Sequence, residues 1–355
     1  METENRKMEH VKICLEEKVE SIYSGFEDVT LIHNALPDLN FQDVDTNITL
    51  FDKKLSAPLL IASMTGGHKD TIEINKNLAV AVEELGLGIG VGSQRAAIEN
   101  EGLAESFTVV RDNAPNAFVY ANVGLPQVME HGIEFVEKAV DMIGADAVAI
   151  HLNFLQEIIQ PEGEVNARGS ARALEQVCAE IKTPVIVKET GAGITREVAL
   201  KLKEAGVDAI DVGGKGGTSW SGVEIYRTKN ELTREVGREF WSWGVPTAFC
   251  VPETYQILPT IATGGLRSGQ DVTKSISLGA VAGSAALPFL KPATRSPDEV
   301  KKELEYFIQG LKTAMFLTGC EKIENLRTIP IFIHGLLNDW LASRNIDVGE
   351  LSRRR

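Results

Sequence analysis

The chain is poor in cysteine. Its four cysteines, Cys14, Cys178, Cys250 and Cys320, are widely separated and form no CxxC pair. That spacing excludes a disulfide framework or a thiolate zinc cluster and predicts four reduced thiols. Long apolar runs are also missing; none approaches the ~20 residues of a membrane-spanning helix. The opening METENRKMEH is polar and has no apolar signal core, so a cytoplasmic protein is expected. Positive charge is scarce as well: 36 Lys and Arg face 50 Asp and Glu, a net charge of −14. This argues against nucleic acid or an anionic membrane as the main partner, but leaves room for a local basic pocket around a phosphorylated metabolite. No Gly/Ser or Pro-rich linker divides the 355 residues, so one domain over 1–355 is expected.

What the chain does have is eight short apolar runs that each stop at a polar or Gly-rich tip. They are Pro58–Ser63, Leu87–Gly92, Ala117–Asn122, Asp146–His151, Thr183–Lys188, Ala209–Gly214, Pro259–Gly265 and Gly279–Ala285. Helix-length segments separate most of them: Ile74–Leu85, Gln127–Ile143, Ser170–Ile181, Arg196–Ala205 and Gly269–Leu278. Three of the joins repeat one pattern, IGADAV, AGVDAI and LGAVAG, with Gly ending a helix just before a buried strand. The pattern predicts an α/β protein, a (β/α)8 TIM barrel whose functional residues sit at the strand ends. Residues 1–56 form an N-terminal extension. Within it, Met8–Tyr23 reads as a weakly amphipathic helix and Asn47–Leu55 as a hairpin plugging the barrel bottom. The segment 219–258, after strand six, is too long for one loop and one helix, and is expected to be a lid over the barrel mouth or an oligomer contact. Asp298–Thr318 and Ile329–Trp340 are expected as closing helices.

The tips carry the candidate chemistry. Barrels commonly bind phosphate on the loops after strands seven and eight. Here Gly264, Gly265 and Arg267 lie on the first of these loops, Ala285 and Ala286 on the second, and Thr218 on a third Gly-rich tip after strand six. Such glycines also serve simple tight turns. Lys188 finishes a buried strand, where an unpaired charge is expensive. It suits a flavin N1–C2 edge, a Schiff base, or an ion pair with Glu189. Thr65, Ser93 and Asn122 could bond the polar edges of such a ring. After strand four, His151, Asn153, Gln156 and Glu157 put four polar groups in seven residues. If the strand continues, His151 and Asn153 face the same side. Glu157 is either a solvated acid or one carboxylate for Mg²⁺ shared with substrate phosphate. Arg6, Lys7 and His10 read as a charged tail or as a basic arm over an anion.

Taken together, RKxEH (6–10), SAPLLIASMTGG (56–67), VGSQR (91–95), ANVG (121–124), HLNxxQExxxPEG (151–163), VKE (187–189), GGTSWxxVE (216–224) and TGGLRSGxD (263–271) resemble the type 2 isopentenyl-diphosphate isomerases, FMN-dependent barrels, over almost the whole chain. The Gly-rich tips are shared with many FMN barrels; RKxEH and HLNxxQE are specific. The resemblance implies that Ser63, Met64, Thr65, Ser93 and Asn122 contact the flavin, with Lys188 beside the ring and Thr218 near the phosphate end. Gly264, Gly265, Leu266, Arg267, Ala285 and Ala286 would hold the phosphate. It further implies that Arg6 and Lys7 bind the substrate diphosphate, Gln156 sits at the substrate and Glu157 holds Mg²⁺. His151, Asn153 and Gln156 would orient substrate or a proton-relay water. NAD(P)H or another donor would reduce the flavin, and a homo-oligomer, tetramer or octamer, is expected. The competing readings are an FMN oxidoreductase of the 2-hydroxy-acid oxidase type, a non-catalytic flavin- or phosphometabolite-binding protein, and an inosine-monophosphate-dehydrogenase-like enzyme. The last requires a cysteine where this chain has GGTSW.

Overall fold

A computed structural model describes residues 2–353, with side chains from Arg6 onward. Continuous apolar runs suit strands buried on both faces, and all eight anticipated runs pair as parallel strands. Leu59–Ile61, Gly88–Gly90, Phe118–Gly124, Ala147–Leu152, Val185–Glu189, Ala209–Asp211, Thr260–Thr263 and Ala282–Ala285 follow one another around a barrel, which closes where Gly283 pairs with Leu59. Helices lie between them as expected, among them Ile72–Leu85, Ser170–Glu180, Arg196–Glu204 and Gly269–Leu278.

The lower interior explains the small residues of the strands. Phe118 and Tyr120 fill the barrel. A Cβ on Gly90 would come within 2.2 Å of the Tyr120 ring, and one on Gly88 within 2.6 Å of Leu60. Ala147, Ala149, Ala209 and Ala282 make the same room on other strands. The hairpin of Ile48–Leu50 and Lys53–Leu55 plugs this end as anticipated: Leu50 and Leu55 join the cluster, and Phe51 stacks on Phe118 with centroids 6.1 Å apart.

Three expectations are corrected. The expected helix Gln127–Ile143 is two helices, Leu125–His131 and Ile133–Ile143, broken at Gly132, whose φ of 67° lies outside the right-handed helical region. The first helix spans Glu2–Glu16, not Met8–Tyr23. Beyond it the chain runs along the loop after strand six, where Ser219 N–H donates to the Val19 carbonyl (2.7 Å) and Ser21 N–H to that of Gly217 (2.8 Å). The expected helix Ile329–Trp340 begins as a strand, Ile331–Ile333, antiparallel to Val29–Leu31, and only then becomes the helix Gly335–Ser343. Ile331 and Ile333 are buried while Phe332 is exposed, which is strand alternation. The segment 219–258 holds three helices, Trp220–Arg227, Glu231–Glu239 and Thr247–Thr254. Among the described residues no helix is long and apolar enough to cross a membrane.

Candidate active site

A cavity with about 1550 Å³ of atom-free space, counted to its open mouth, occupies the C-terminal end of the barrel. It is lined by Arg6, Lys7, Ser63, Met64, Thr65, Ser93, Asn122, His151, Asn153, Gln156, Glu157, Lys188, Thr218, Gly264, Gly265, Arg267, Ala285 and Ala286. Of the residues singled out from the sequence, only Leu266 is absent from the lining; its side chain is fully buried, so it can offer only backbone.

The Gly-rich tips after strands six and seven meet backbone to backbone. Gly264 has φ 116°, and a Cβ there would lie 2.1 Å from the Gly214 carbonyl oxygen. A Cβ on Gly265 would lie 2.7 Å from the Gly216 backbone. Among the described residues the N–H groups of Gly264, Gly265 and Leu266 take no partner, and the buried Thr65 hydroxyl finds none either. Unpartnered donors beside a wide cavity mark where a ligand's acceptors belong. Three consecutive N–H groups without a partner suit a phosphate, and the hydroxyl and amide side chains of strands one to three suit a flavin's polar edge. The residues present therefore fit FMN. Arg267 lies at this rim, where it pairs with Glu20 of the N-terminal extension and its Nη1 donates to the Leu266 carbonyl (2.7 Å).

Strand four ends at Leu152, so the alternation that would align His151 with Asn153 stops; Asn153 instead caps the helix Phe154–Ile159. Both still reach the cavity. His151 Nδ1 lies 2.9 Å from Asn122 Oδ1. A carbonyl oxygen can only accept, so Nδ1 carries the proton. Burial first, then the Lys188, Lys7 and Arg6 charges, pushes the imidazole well below its usual range. The neutral ring is thus left with a bare Nε2. Lys188 Nζ donates to the backbone carbonyl of Glu189 (2.9 Å), not to its carboxylate. That carboxylate accepts from the N–H groups of Thr190, Gly191, Ala192 and Gly193. Lys188 sits in register with Asp211, a buried acid whose pKa is raised by burial against the opposing pull of Lys188.

Above the barrel, the first helix brings Arg6 and Lys7 over the helix after strand four. Burial, then the Arg6 and Arg95 charges, lowers the Lys7 pKa from 10.5 to about 7, with Glu157 opposing. Glu157 accepts from Asn153 Nδ2 (2.8 Å) and from Glu164 N–H (2.8 Å). Gln156 Nε2 donates to Glu224 (3.0 Å), which also bonds His10 (2.9 Å) and Arg227 (2.5 Å). Oriented to satisfy both neighbours, Gln160 donates to Glu224 (3.3 Å) and accepts from Arg6 (3.1 Å). Among the described residues no group of three or more His, Cys, Asp or Glu side chains forms a metal cage.

Glu224 and Arg95 end the motifs GGTSWxxVE and VGSQR but were given no role from the sequence, and Arg227, Gln160 and Asp211 were not singled out. A charged residue on a helix reads as solvated, and for Asp211 the available signal was an acid inside the apolar run AIDVGG.

The chain matches the family model described as FMN-dependent dehydrogenase over residues 153–331. In fold it is similar to mandelate oxidase: a variant with a monooxide FMN adduct gives a TM-score of 0.61 at 20% identity, covering 89% of this chain and 94% of that one. Mandelate oxidase with benzoyl-formic acid gives 0.61 at 21%, covering 88% and 89%. In sequence it is far more similar to the isopentenyl-diphosphate delta-isomerase of Archaeoglobus fulgidus, with 63% identity over 97% of this chain and 100% of that protein. The enzyme of the same name from Methanosarcina mazei is 52% identical over 99% and 97%. Full-length identity at this level, together with the FMN-dependent dehydrogenase match, shows that the chain belongs to the FMN-dependent, type 2 isopentenyl-diphosphate delta-isomerase family.

Proposed function

We propose that this chain interconverts isopentenyl diphosphate and dimethylallyl diphosphate by a 1,3-allylic proton shift on reduced FMN, with Mg²⁺ on the diphosphate and NAD(P)H or another donor keeping the flavin reduced. The observation that carries the reading is that Arg6, Lys7, Gln156 and Glu157 line the same cavity as the glycine cradle. Two cations suit a diphosphate, and one carboxylate suits a Mg²⁺ shared with phosphate oxygens.

A proton is added at one carbon and one is removed at another, so there is no net oxidation. When bound, reduced FMN supplies a proton carrier and an electron-rich surface that stabilises developing positive charge. Gly264, Gly265 and Leu266 N–H, with Thr218, Arg267, Ala285 and Ala286, hold its phosphate end. Ser63, Met64, Thr65, Ser93, Asn122 and Lys188 hold its ring. Arg6 and Lys7 bind the diphosphate and so position the short apolar tail, and Glu157 would hold a Mg²⁺ that neutralises its charge. Gln156, held by Glu224, orients that tail; Asn153 holds Glu157. The bare Nε2 of His151 can hold a proton delivered through water.

Within one domain spanning 1–355, the helices Trp220–Arg227 and Glu231–Glu239 act as the lid of the segment 219–258, while Thr247–Thr254, buried throughout against strand seven, is a barrel helix. Free thiols at all four cysteines support a reducing, cytoplasmic setting. Exposed Leu232, Phe332 and Leu336 support a homo-oligomer, a tetramer or octamer. The second reading, an FMN oxidoreductase of 2-hydroxy acids, is favoured by the dehydrogenase match over 153–331.

Anaerobic turnover of isopentenyl diphosphate with FMN and Mg²⁺, with and without dithionite or NADPH, separates the two. Dimethylallyl diphosphate should form only with reduced flavin, without stoichiometric NADPH loss. Absence of product despite stably bound reduced FMN would refute the isomerase reading.

A further inference from the structure

Arg227 closes the helix Trp220–Arg227, and its side chain is only 9% exposed. Each nitrogen of its guanidinium goes to a different segment of the chain. Nε donates to Glu9 on the first helix (2.9 Å), Nη2 to Glu162 on the loop after strand four (2.8 Å), and Nη1 to the fully buried Glu224 on its own helix (2.5 Å). Only a planar, five-donor fork can serve three carboxylates in three directions; an ammonium on a flexible stem cannot hold that geometry.

The three carboxylates are not equivalent. Glu224 contacts His10, Gln156 and Arg227. Burial lowers the pKa of His10, keeping that partner neutral, so the charge opposite Glu224 is that of Arg227. Glu162 is shared: Arg6 Nη1 lies 3.5 Å from it. Arg6 can therefore turn from Glu162 toward an incoming anion without leaving that acid unpaired. Glu9 lies on the same helix as Arg6 and Lys7, and its half-exposed carboxylate is the hold of Arg227 on that helix, beside the buried His10–Glu224 bond.

We infer that Arg227 is a positioning residue, a three-way latch that seats the Arg6–Lys7 helix against the barrel mouth while orienting Gln156 through Glu224. The inference rests on the isomerase reading for its kinetic consequence, but not for the latch itself. It assigns Arg227 to binding geometry and not to the proton transfer.

The test compares wild type, Arg227→Lys, Arg227→Gln and Glu9→Gln as FMN-loaded proteins. Arg227→Lys keeps a charge beside Glu224 and guards against simple unfolding; Glu9→Gln cuts only the link to the first helix. Amide hydrogen exchange is followed without substrate. In Arg227→Lys, exchange within residues 6–16 should speed up about tenfold, as expected for loss of one charge-assisted link. Barrel-strand amides and FMN occupancy should stay unchanged. With isopentenyl diphosphate, KM should rise about tenfold and kcat stay within about twofold, the pattern of lost uniform binding. Glu9→Gln should reproduce both changes more weakly, and Arg227→Gln more strongly. Unchanged exchange in residues 6–16 of both Arg227→Lys and Glu9→Gln overturns the latch. A fall in kcat at constant KM overturns the positioning role. If wild type fails to turn over the diphosphate, the isomerase reading falls, while the exchange measurement still decides the latch.

Discussion

Lys7 makes the sharpest demand on the proposed site. Partial burial, then the Arg6 and Arg95 charges, brings its pKa down from 10.5 to about 7. The gap corresponds to roughly 5 kcal/mol of disfavoured charge. In the unliganded protein this cost is fully present below pH 7. It is relieved between pH 7 and 10.5, where the unfolded chain still binds the proton and the folded one does not, so this group makes stability rise with pH across that window. A diphosphate reverses the preference: an anion against Lys7 favours its protonated form. Binding should then take up about 0.9 proton per site at pH 8, the fraction of a group with pKa near 7 that is unprotonated there. Affinity should weaken up to about tenfold per pH unit above 7. Titration calorimetry with isopentenyl diphosphate at pH 8, in buffers of differing ionisation heat, reads the uptake directly. That pH lies above the range in which phosphate groups titrate, near ~6. Lys7→Arg keeps the cation but cannot lose it, so the uptake should vanish while binding persists. Equal proton uptake in Lys7→Arg and wild type refutes the reasoning.

The other predictions concern metal, cofactor and fold. Glu157→Gln should raise the Mg²⁺ concentration needed for half-maximal rate by about tenfold or more, as expected for loss of a metal carboxylate; a titration with an unchanged Mg²⁺ requirement counts against that ligand. Gly264→Ala forces a Cβ to within 2.1 Å of the Gly214 oxygen at φ 116°. It should cost about 1–3 kcal/mol and release FMN on desalting, read from the flavin-to-protein absorbance ratio. Leu55→Ala in the plugging hairpin, 1% exposed, should lower stability by about 2–5 kcal/mol. Its KM should not change, because the hairpin lies at the opposite end of the barrel from the site; denaturant unfolding and steady-state kinetics check the two halves.

The strands were legible because a parallel barrel buries both faces of each strand, so every run reads as unbroken apolar sequence ending in glycine or a polar residue. Lys188 and His151 stood out for the same reason: a titratable group at the end of such a run has few ordinary explanations. The cap was not legible. Glu224 contacts His10 across 214 positions, and nothing local distinguishes it from a solvated helical acid. Ile331–Ile333 is a strand only because Val29–Leu31 lies beside it, nearly the whole chain away; without that partner its apolar residues also fit a helix. Arg6 and Lys7 read from composition as a loose charged tail, and only the family resemblance turned them toward the site.

The phosphate cradle at 263–267 and the tip at 213–218 lie within the stretch 153–331 that the dehydrogenase family model covers, while Arg6, Lys7 and His10 lie outside it. The arm and the cradle are joined physically. Ser21 N–H donates to Gly217 and Ser219 N–H to Val19, so the arm is stitched to the Gly-rich tip of strand six, and Glu20 pairs with Arg267 on the loop after strand seven. Ligands at the cradle and under the arm therefore share one rigid frame. In the proposed binding mode, a substrate held by its diphosphate under that arm would place its hydrocarbon end toward the cradle floor. The few carbons of a C5 tail leave little slack in that placement, which is what a proton shift between two neighbouring carbons requires.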